Sequence, residues 1–160
     1  MLAIMRAGGE IDERGRVLRQ PLVLCVEGAE FTVSKADVDA LQRAKAAVAA
    51  GVEVLCGRAG LRFDDLRAVH LAGSFGEHLD VENARRIGLL PPISDAVVRL
   101  AGNTALRGAL DLLLSAHAEA ALARARRGCT LVNLSLEPEF EELFLEHLYL
   151  RPVAERNRCR

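Results

Sequence analysis

Val69-His70-Leu71-Ala72-Gly73-Ser74-Phe75-Gly76 is the stretch on which the fold turns. A short aliphatic run that stops in Gly-Ser-Phe-Gly reads as a buried strand delivering its carboxyl end into a tight loop. In open α/β sheets ligands collect at that end of the strands. Glycine there lets the backbone approach a flat or phosphorylated ligand. A plain strand-to-helix turn carries the same pattern, because short glycine motifs are common to many loops. The surrounding chain has to separate the two readings.

Downstream of the loop, Asp80 reads as the N-cap of a short helix over 81–87 closed by Gly88 and followed by Pro91-Pro92. Ala96 to Ala101 reads as a short strand or an extended run. Helix resumes through Gly102-Asn103-Thr104-Ala105-Leu106-Arg107-Gly108-Ala109-Leu110, where the small residues Ala101, Ala105, Gly108 and Ala109 allow close approach to a neighbour or a nucleotide. A break near Ser115 separates it from Ala116 to Arg127. Arg124, Arg126 and Arg127 suit the negative end of that second helix and read as a solvated terminus, not an anion site. Cys129 to Leu134 looks like a further strand. Pro138 fits the first position of an amphipathic helix over Glu139 to Leu148, with Phe140, Leu143, Phe144 and Leu148 on one apolar, core-facing side. The polar tail, residues 150–160, is expected to fray.

Upstream, Ser34 and Asp37 form a capping-box variant that opens the strongest helix of the sequence. Its apolar positions Val38, Leu41, Ala44, Val48, Val52 and Leu55 form one stripe for a core, and Gly57 and Gly60 end it. Gly51 inside this helix costs about 1 kcal/mol relative to alanine, which a close packing neighbour would explain. Lys45 lies beside the stripe, and by position alone it reads as a solvated or snorkelling lysine. Leu22 to Val26 and Ala29 to Val33 read as a hairpin about Glu27-Gly28. Leu2 to Ala7 with Gly8-Gly9 reads as the last turns of a helix, so the chain is expected to be part of a longer one. Strands that alternate with helices argue for a layered α/β fold, without an internal repeat or a clear domain boundary.

The 160 residues suffice for one packed core, and a composition that is 51% hydrophobic speaks against disorder. With 21 basic against 22 acidic residues, the chain has no broad positive field for a nucleic-acid backbone. No apolar run reaches the roughly 18 residues of a membrane span, and no signal peptide is legible, so a cytoplasmic protein without a membrane partner is expected. Cys25, Cys56, Cys129 and Cys159, like the four histidines, lack ligand spacing, and no metal site is expected. Cys25 and Cys129 read as packed small hydrophobes. Ser74 with His78 does not make a hydrolase, because Gly73-Ser74-Phe75-Gly76 is not the Gly-x-Ser-x-Gly elbow.

Taken together and in order, Gln42-Arg43-Ala44-Lys45 within Leu41 to Val48, Leu71 to Gly76, Ile87-Gly88-Leu89-Leu90-Pro91, Gly102-Asn103-Thr104-Ala105 and Leu134-Ser135-x-x-Pro138-x-Phe140 resemble the C-terminal end of RACo-type proteins, the reductive activators of corrinoid proteins. The similarity runs over essentially the whole chain from Gly9 to Asp12 onward. It implies the last part of an ATP-binding domain of the acetate and sugar kinase, heat-shock chaperone and actin (ASKHA) superfamily. The fold class that follows is α/β: an incomplete ribonuclease H-like layered subdomain with a mixed sheet and flanking helices.

The resemblance also implies a role for the site. Such activators use ATP with magnesium to drive the one-electron reduction of a Co(II) corrinoid protein to Co(I) for methyl transfer, with electrons from a [2Fe-2S] ferredoxin-like domain. Gly73, Ser74, Phe75 and Gly76 match the superfamily's adenosine motif. Gly102 and Asn103 open its second connecting helix, and Gln42 and Lys45 match a helix segment that contacts adenosine in chaperone ATPases. In physical terms Gly73 lets a base lie on the backbone, Ser74 offers a hydrogen bond, Lys45 can reach a ribose or phosphate oxygen, and Phe75 can stack on the base or, the favoured role, anchor the loop. No cluster-binding cysteine set and neither acidic phosphate motif has a counterpart here. The chain is therefore expected to carry an adenosine half-site, no catalytic residue and no [2Fe-2S] cluster of its own, those parts belonging to a parent chain. The alternatives are a non-catalytic oligomerisation or docking module without nucleotide, and a kinase-like relative acting on a small molecule.

Overall fold

The computed structural model describes residues 1–73, 76 and 78–153. They fall into two compact units, one formed by Met1–Leu66, Asp80–Ser94 and the chain from Leu134 onward, the other by Arg67–Leu79 and Asp95–Asn133. No domain boundary was expected, because each unit is assembled from separated segments and no linker composition marks the crossings.

The first unit begins with α1, Leu2–Ala7, which buries Leu2, Ala3 and Met5 and is followed by Gly9 at φ +70°. Strands β1, Leu22–Val26, and β2, Ala29–Val33, pair antiparallel from Leu22 opposite Val33 to Val26 opposite Ala29. The turn between them places Glu27 and Gly28 at positive φ, as a two-residue hairpin requires. Helix α2, Lys35–Arg58, starts at the Ser34 capping box: the Asp37 amide donates to the Ser34 hydroxyl, and the Asp37 carboxylate accepts from the Ser34 amide. Helix α3, Val81–Arg86, is capped by Asp80, whose carboxylate accepts from the Asn83 amide at 2.9 Å. Helix α6, Phe140–His147, packs along α2.

Two apolar clusters hold this unit. Leu2, Met5, Ile11, Leu22, Val33, Val38 and Leu150 form one, and Ala50, Val54 and Leu143 the other, with Leu134, Phe140 and Phe144 against it. The apolar face expected for the last helix is therefore on the core, with Phe140 and Phe144 stacked at 6.3 Å. Gly51 has the predicted neighbour, since a Cβ there would stand 3.1 Å from Leu134 Cδ1.

Several expectations are corrected. The buried face of α2 comprises Val38, Gln42, Lys45, Ala46, Ala49, Ala50, Gly51 and Val54. Leu41, Val48 and Leu55 of the expected stripe are exposed at 40%, 51% and 47%. The helix is turned by about one residue because its small side chains admit α6 and its two polar ones find acceptors in the core. Lys45 is buried, not solvated. Residues 129–133 form no strand, and they lead into a 3-10 turn at Leu134–Leu136. Pro138 sits in a turn ahead of Glu139, the N-cap of α6. Cys25 and Cys129 are exposed. Leu150 is fully buried, so the frayed tail does not begin there; residues 154–160 lie outside the described part.

The second unit holds β3, Val69–Ala72, and β4, Val98–Gly102, paired in parallel with a bulge between Leu71 and Ala72. A 3-10 turn, Asp95–Val97, precedes β4. Helices α4, Thr104–Leu114, and α5, Ala118–Gly128, meet at the expected break at Ser115. The antiparallel and parallel pairings of the expected mixed sheet thus occur in two separate two-stranded sheets among the described residues. The described residues contain no helix long and apolar enough to cross a membrane.

Candidate functional site

In the second unit the parallel pair brings its carboxyl ends together. The register runs Val69 to Val98, His70 to Arg99, Leu71 to Leu100, then skips Ala101 to set Ala72 against Gly102. Past the last pair the Gly73 amide donates to the Gly102 carbonyl at 2.8 Å. Both glycines are left-handed, at φ +92° and +63°. Among the described residues, a Cβ built on either meets nothing within 4 Å, so the backbone faces of both stand open to them. The left-handed backbone explains why glycine is used at both positions, and the open space above it is what a planar ligand needs.

Asn103 follows directly as the N-cap of α4, its side-chain oxygen accepting the Leu106 amide at 3.0 Å. Gly76 donates its amide to the Gly73 carbonyl at 3.1 Å and is buried. A Cβ on Gly76 would stand 3.1 Å from the carbonyl carbon and oxygen of Leu71, a tight contact with backbone that glycine avoids. Gly73, Gly76, Gly102 and Asn103 are therefore brought together. Ser74 and Phe75 lie outside the described residues.

Gln42 and Lys45 are found in the first unit, 7% and 4% exposed. One helical turn apart on α2, they meet the backbone that leaves α6. The Lys45 ammonium donates to the carbonyls of His147 and Tyr149, the latter at 2.7 Å. The Gln42 amide group donates to the Leu148 carbonyl between them and to the Arg14 carbonyl at 3.1 Å. Carbonyls at a helix C-terminus lack intrahelical partners, so a buried ammonium satisfies them and suits the negative end of the dipole. Burial, and secondarily the Arg151 guanidinium, pull the Lys45 pKa down to about 8.

Nearby, His147 Nε2 lies 2.9 Å from Glu53 Oε2, the two side chains being 10% and 13% exposed. The pair was not anticipated, since its members stand 94 residues apart in sequence. Burial, followed by the Glu53 charge, raises the Cys56 thiol pKa. Glu53, His147, Tyr149 and Arg151 border a cleft of about 50 Å³, far below the several hundred Å³ typical of a small-molecule site. Among the described residues no group of three or more histidine, cysteine or acidic side chains is placed to hold a metal ion.

Three comparisons bear on this arrangement. One relative is the corrinoid activation enzyme RamQ of Eubacterium limosum, 40% identical over 120 residues, which cover 74% of this chain and 20% of that protein. Another is the [Co(II) methylated amine-specific corrinoid protein] reductase of Methanosarcina barkeri, 30% identical over 112 residues, 70% of this chain and 20% of that protein. Among solved structures, a reductive activator for corrinoid, iron-sulfur protein matches with a TM-score of 0.83 at 28% identity, covering 94% of this chain and 27% of that one. The chain thus spans about a fifth of the length of the curated relatives it matches. The family model for the C-terminal domain of RACo, the ASKHA domain, matches residues 9–157, and the chain belongs to that family.

Proposed function

We propose that this chain is the adenosine-binding C-terminal part of an ATP-dependent reductive activator that returns a Co(II) corrinoid protein to Co(I) for methyl transfer. The observation that carries the reading is the Gly73 to Gly102 junction: two left-handed glycines joined by a hydrogen bond at the carboxyl ends of parallel strands, each with an open face. That is where α/β sheets take ligands, and it fits an adenine nucleotide lying on backbone. Gly73, Ser74, Phe75, Gly76, Gly102 and Asn103 hold the adenosine in this reading. Bound ATP with magnesium supplies the free energy that makes the one-electron reduction of the corrinoid possible. The [2Fe-2S] electron donor and the acidic phosphate motifs belong to other parts of a longer cytoplasmic protein, and this chain alone neither hydrolyses ATP nor transfers electrons. Its partner is the corrinoid protein of a methyltransferase system.

Titrating magnesium ADP and ATP into the 160-residue chain while following backbone amide shifts tests the reading. Shifts at Gly73, Gly76, Gly102 and Asn103 that Gly73→Val abolishes support it. Their absence at millimolar nucleotide favours the second reading, a docking or oligomerisation module indifferent to nucleotide. One observation speaks for that second reading: Leu113 and Leu114 of α4 are 81% and 83% exposed, more than a folded surface usually leaves on adjacent large aliphatics. It predicts self-association in sedimentation.

A further inference from the structure

Tyr149 is the single tyrosine of a chain without tryptophan, and two arginines meet on its ring. The guanidinium carbon of Arg14 lies 5.9 Å from the ring centre and that of Arg151 5.0 Å. Both cation–π contacts among the described residues therefore fall on one side chain. Arg6, Arg58, Arg62, Arg86 and Arg107 each have a carboxylate within 3.9 Å. Arg14 and Arg151 are exposed and have no such partner among the described residues. The acids around them are engaged elsewhere. Glu13 faces Arg6, Asp12 accepts the Arg14 and Arg16 amides at 2.8 Å, and Glu53 holds His147. Lys45 adds a third cation, close enough for Arg151 to reinforce the effect of burial on its pKa.

The three side chains stand on fixed backbone. The Arg14 carbonyl accepts from the Gln42 side chain at 3.1 Å, and the Tyr149 carbonyl accepts from Lys45 at 2.7 Å. Between Tyr149 and Arg151, Leu150 is fully buried in the larger apolar cluster, and its amide donates to the Glu13 carbonyl at 2.7 Å. A platform ordered in advance loses little freedom on binding, and tyrosine and arginine are the residues that dominate interface energetics. The cleft beside Tyr149 and Arg151, about 50 Å³, is too small for a nucleotide-sized ligand, which leaves a surface contact. A net charge of -1 gives no broad field for a nucleic-acid backbone.

We propose that Arg14, Tyr149 and Arg151 form a docking site for an acidic segment of a protein partner. Its carboxylates pair with the two guanidinium groups, and the half-buried tyrosine supplies apolar area between them and the core. The site lies wholly within the first unit and is independent of nucleotide binding at the Gly73 to Gly102 junction.

The lone tyrosine is its own reporter. Titrating a hexaglutamate peptide into the chain is expected to change the Tyr149 fluorescence saturably, with half-saturation below about 1 mM. Arg14→Gln and Arg151→Gln are each expected to weaken binding about tenfold. Arg14→Lys and Arg151→Lys keep the charge but lose the planar fork, and each is expected to weaken it about threefold. Arg124→Gln, at an exposed position of α5, leaves it unchanged. The Leu150 amide shift verifies that the variants keep their fold, and where a glutamine variant does not, its lysine counterpart decides. No saturable change at millimolar peptide overturns the proposal. So does an equal loss in Arg124→Gln, which makes the binding a diffuse charge effect. Displacement of the peptide by inorganic phosphate at equal concentration makes this a free-anion site, and displacement by a single-stranded oligonucleotide of equal charge makes it a nucleic-acid contact. Either result overturns the acidic protein segment.

Discussion

Lys45 carries a charge into a place that is 4% exposed, and the sign of its effect on stability follows from where the proton is held. The ordinary lysine value is 10.5, and burial with Arg151 brings the folded value to about 8. Between these two values the unfolded chain binds more protons than the folded one, so stability rises as pH increases from 8 to 10.5. The rise is less than about 3 kcal/mol, because the two acceptor carbonyls favour the charged form and offset part of the burial. Urea unfolding of the wild type at pH 7.5 and pH 10, compared with Lys45→Met, checks this: the variant lacks the rise. At Gly76 the constraint is steric. Gly76→Ala forces a contact with the Leu71 backbone that neither side can relieve by rotation, and a loss of about 1–3 kcal/mol is expected in the local opening free energy measured by amide exchange of β3. The strand ending at Gly73 was legible from its own residues, whereas Gly102 and Asn103 were tied to that loop only by the resemblance of the ordered motifs, since the β3–β4 pairing spans about thirty residues. The role of Gln42 and Lys45 was not, since their acceptors lie 106 and 102 to 104 residues away.

Elements show the same division between near and distant causes. The caps at Ser34 and Asp80, the hairpin at Glu27-Gly28 and the break at Ser115 were read correctly, each being decided within a few residues. The buried side of α2 was misplaced because apolar content alone chose Leu41, Val48 and Leu55, whereas packing against α6 selects small residues. A strand at 129–134 was expected from hydrophobicity, yet a strand exists only where another supplies hydrogen bonds. The contact between α2 and α6 sets a clear contrast on one short helix. Leu143→Ala, at 1% exposure among Ala50 and Val54, is expected to cost about 2–5 kcal/mol, and Leu145→Ala, at 55%, less than about 0.5 kcal/mol. Equilibrium denaturation of the two variants measures both.

At the scale of the molecule the two units differ in how much they bury. Both named apolar clusters belong to the first. In the second, Gly76 is the one buried position among the described residues, and α4 leaves Leu106, Leu110, Leu112, Leu113 and Leu114 exposed. Parallel strands are ordinarily covered on both faces, and a pair of strands is marginal without such cover. Amides of β3, β4 and α4 are therefore expected to exchange with smaller opening free energies than those of α2 and α6, by about 2 kcal/mol or more, in native-state hydrogen exchange. Equal protection in both units would mean that the second is stabilised by contacts beyond its own residues. The Leu150 anchor has a further consequence, one for biosynthesis. The cluster that contains Leu2, Met5 and Ile11 is completed by Leu150, so it stays open until the chain through Leu150 has been made. Until then the emerging chain carries α1 and the hairpin without their last apolar contact, and Lys45 without its acceptors. Folding of this unit is thus governed by a long-range closure, and chaperone protection of the nascent chain matters until that closure has occurred.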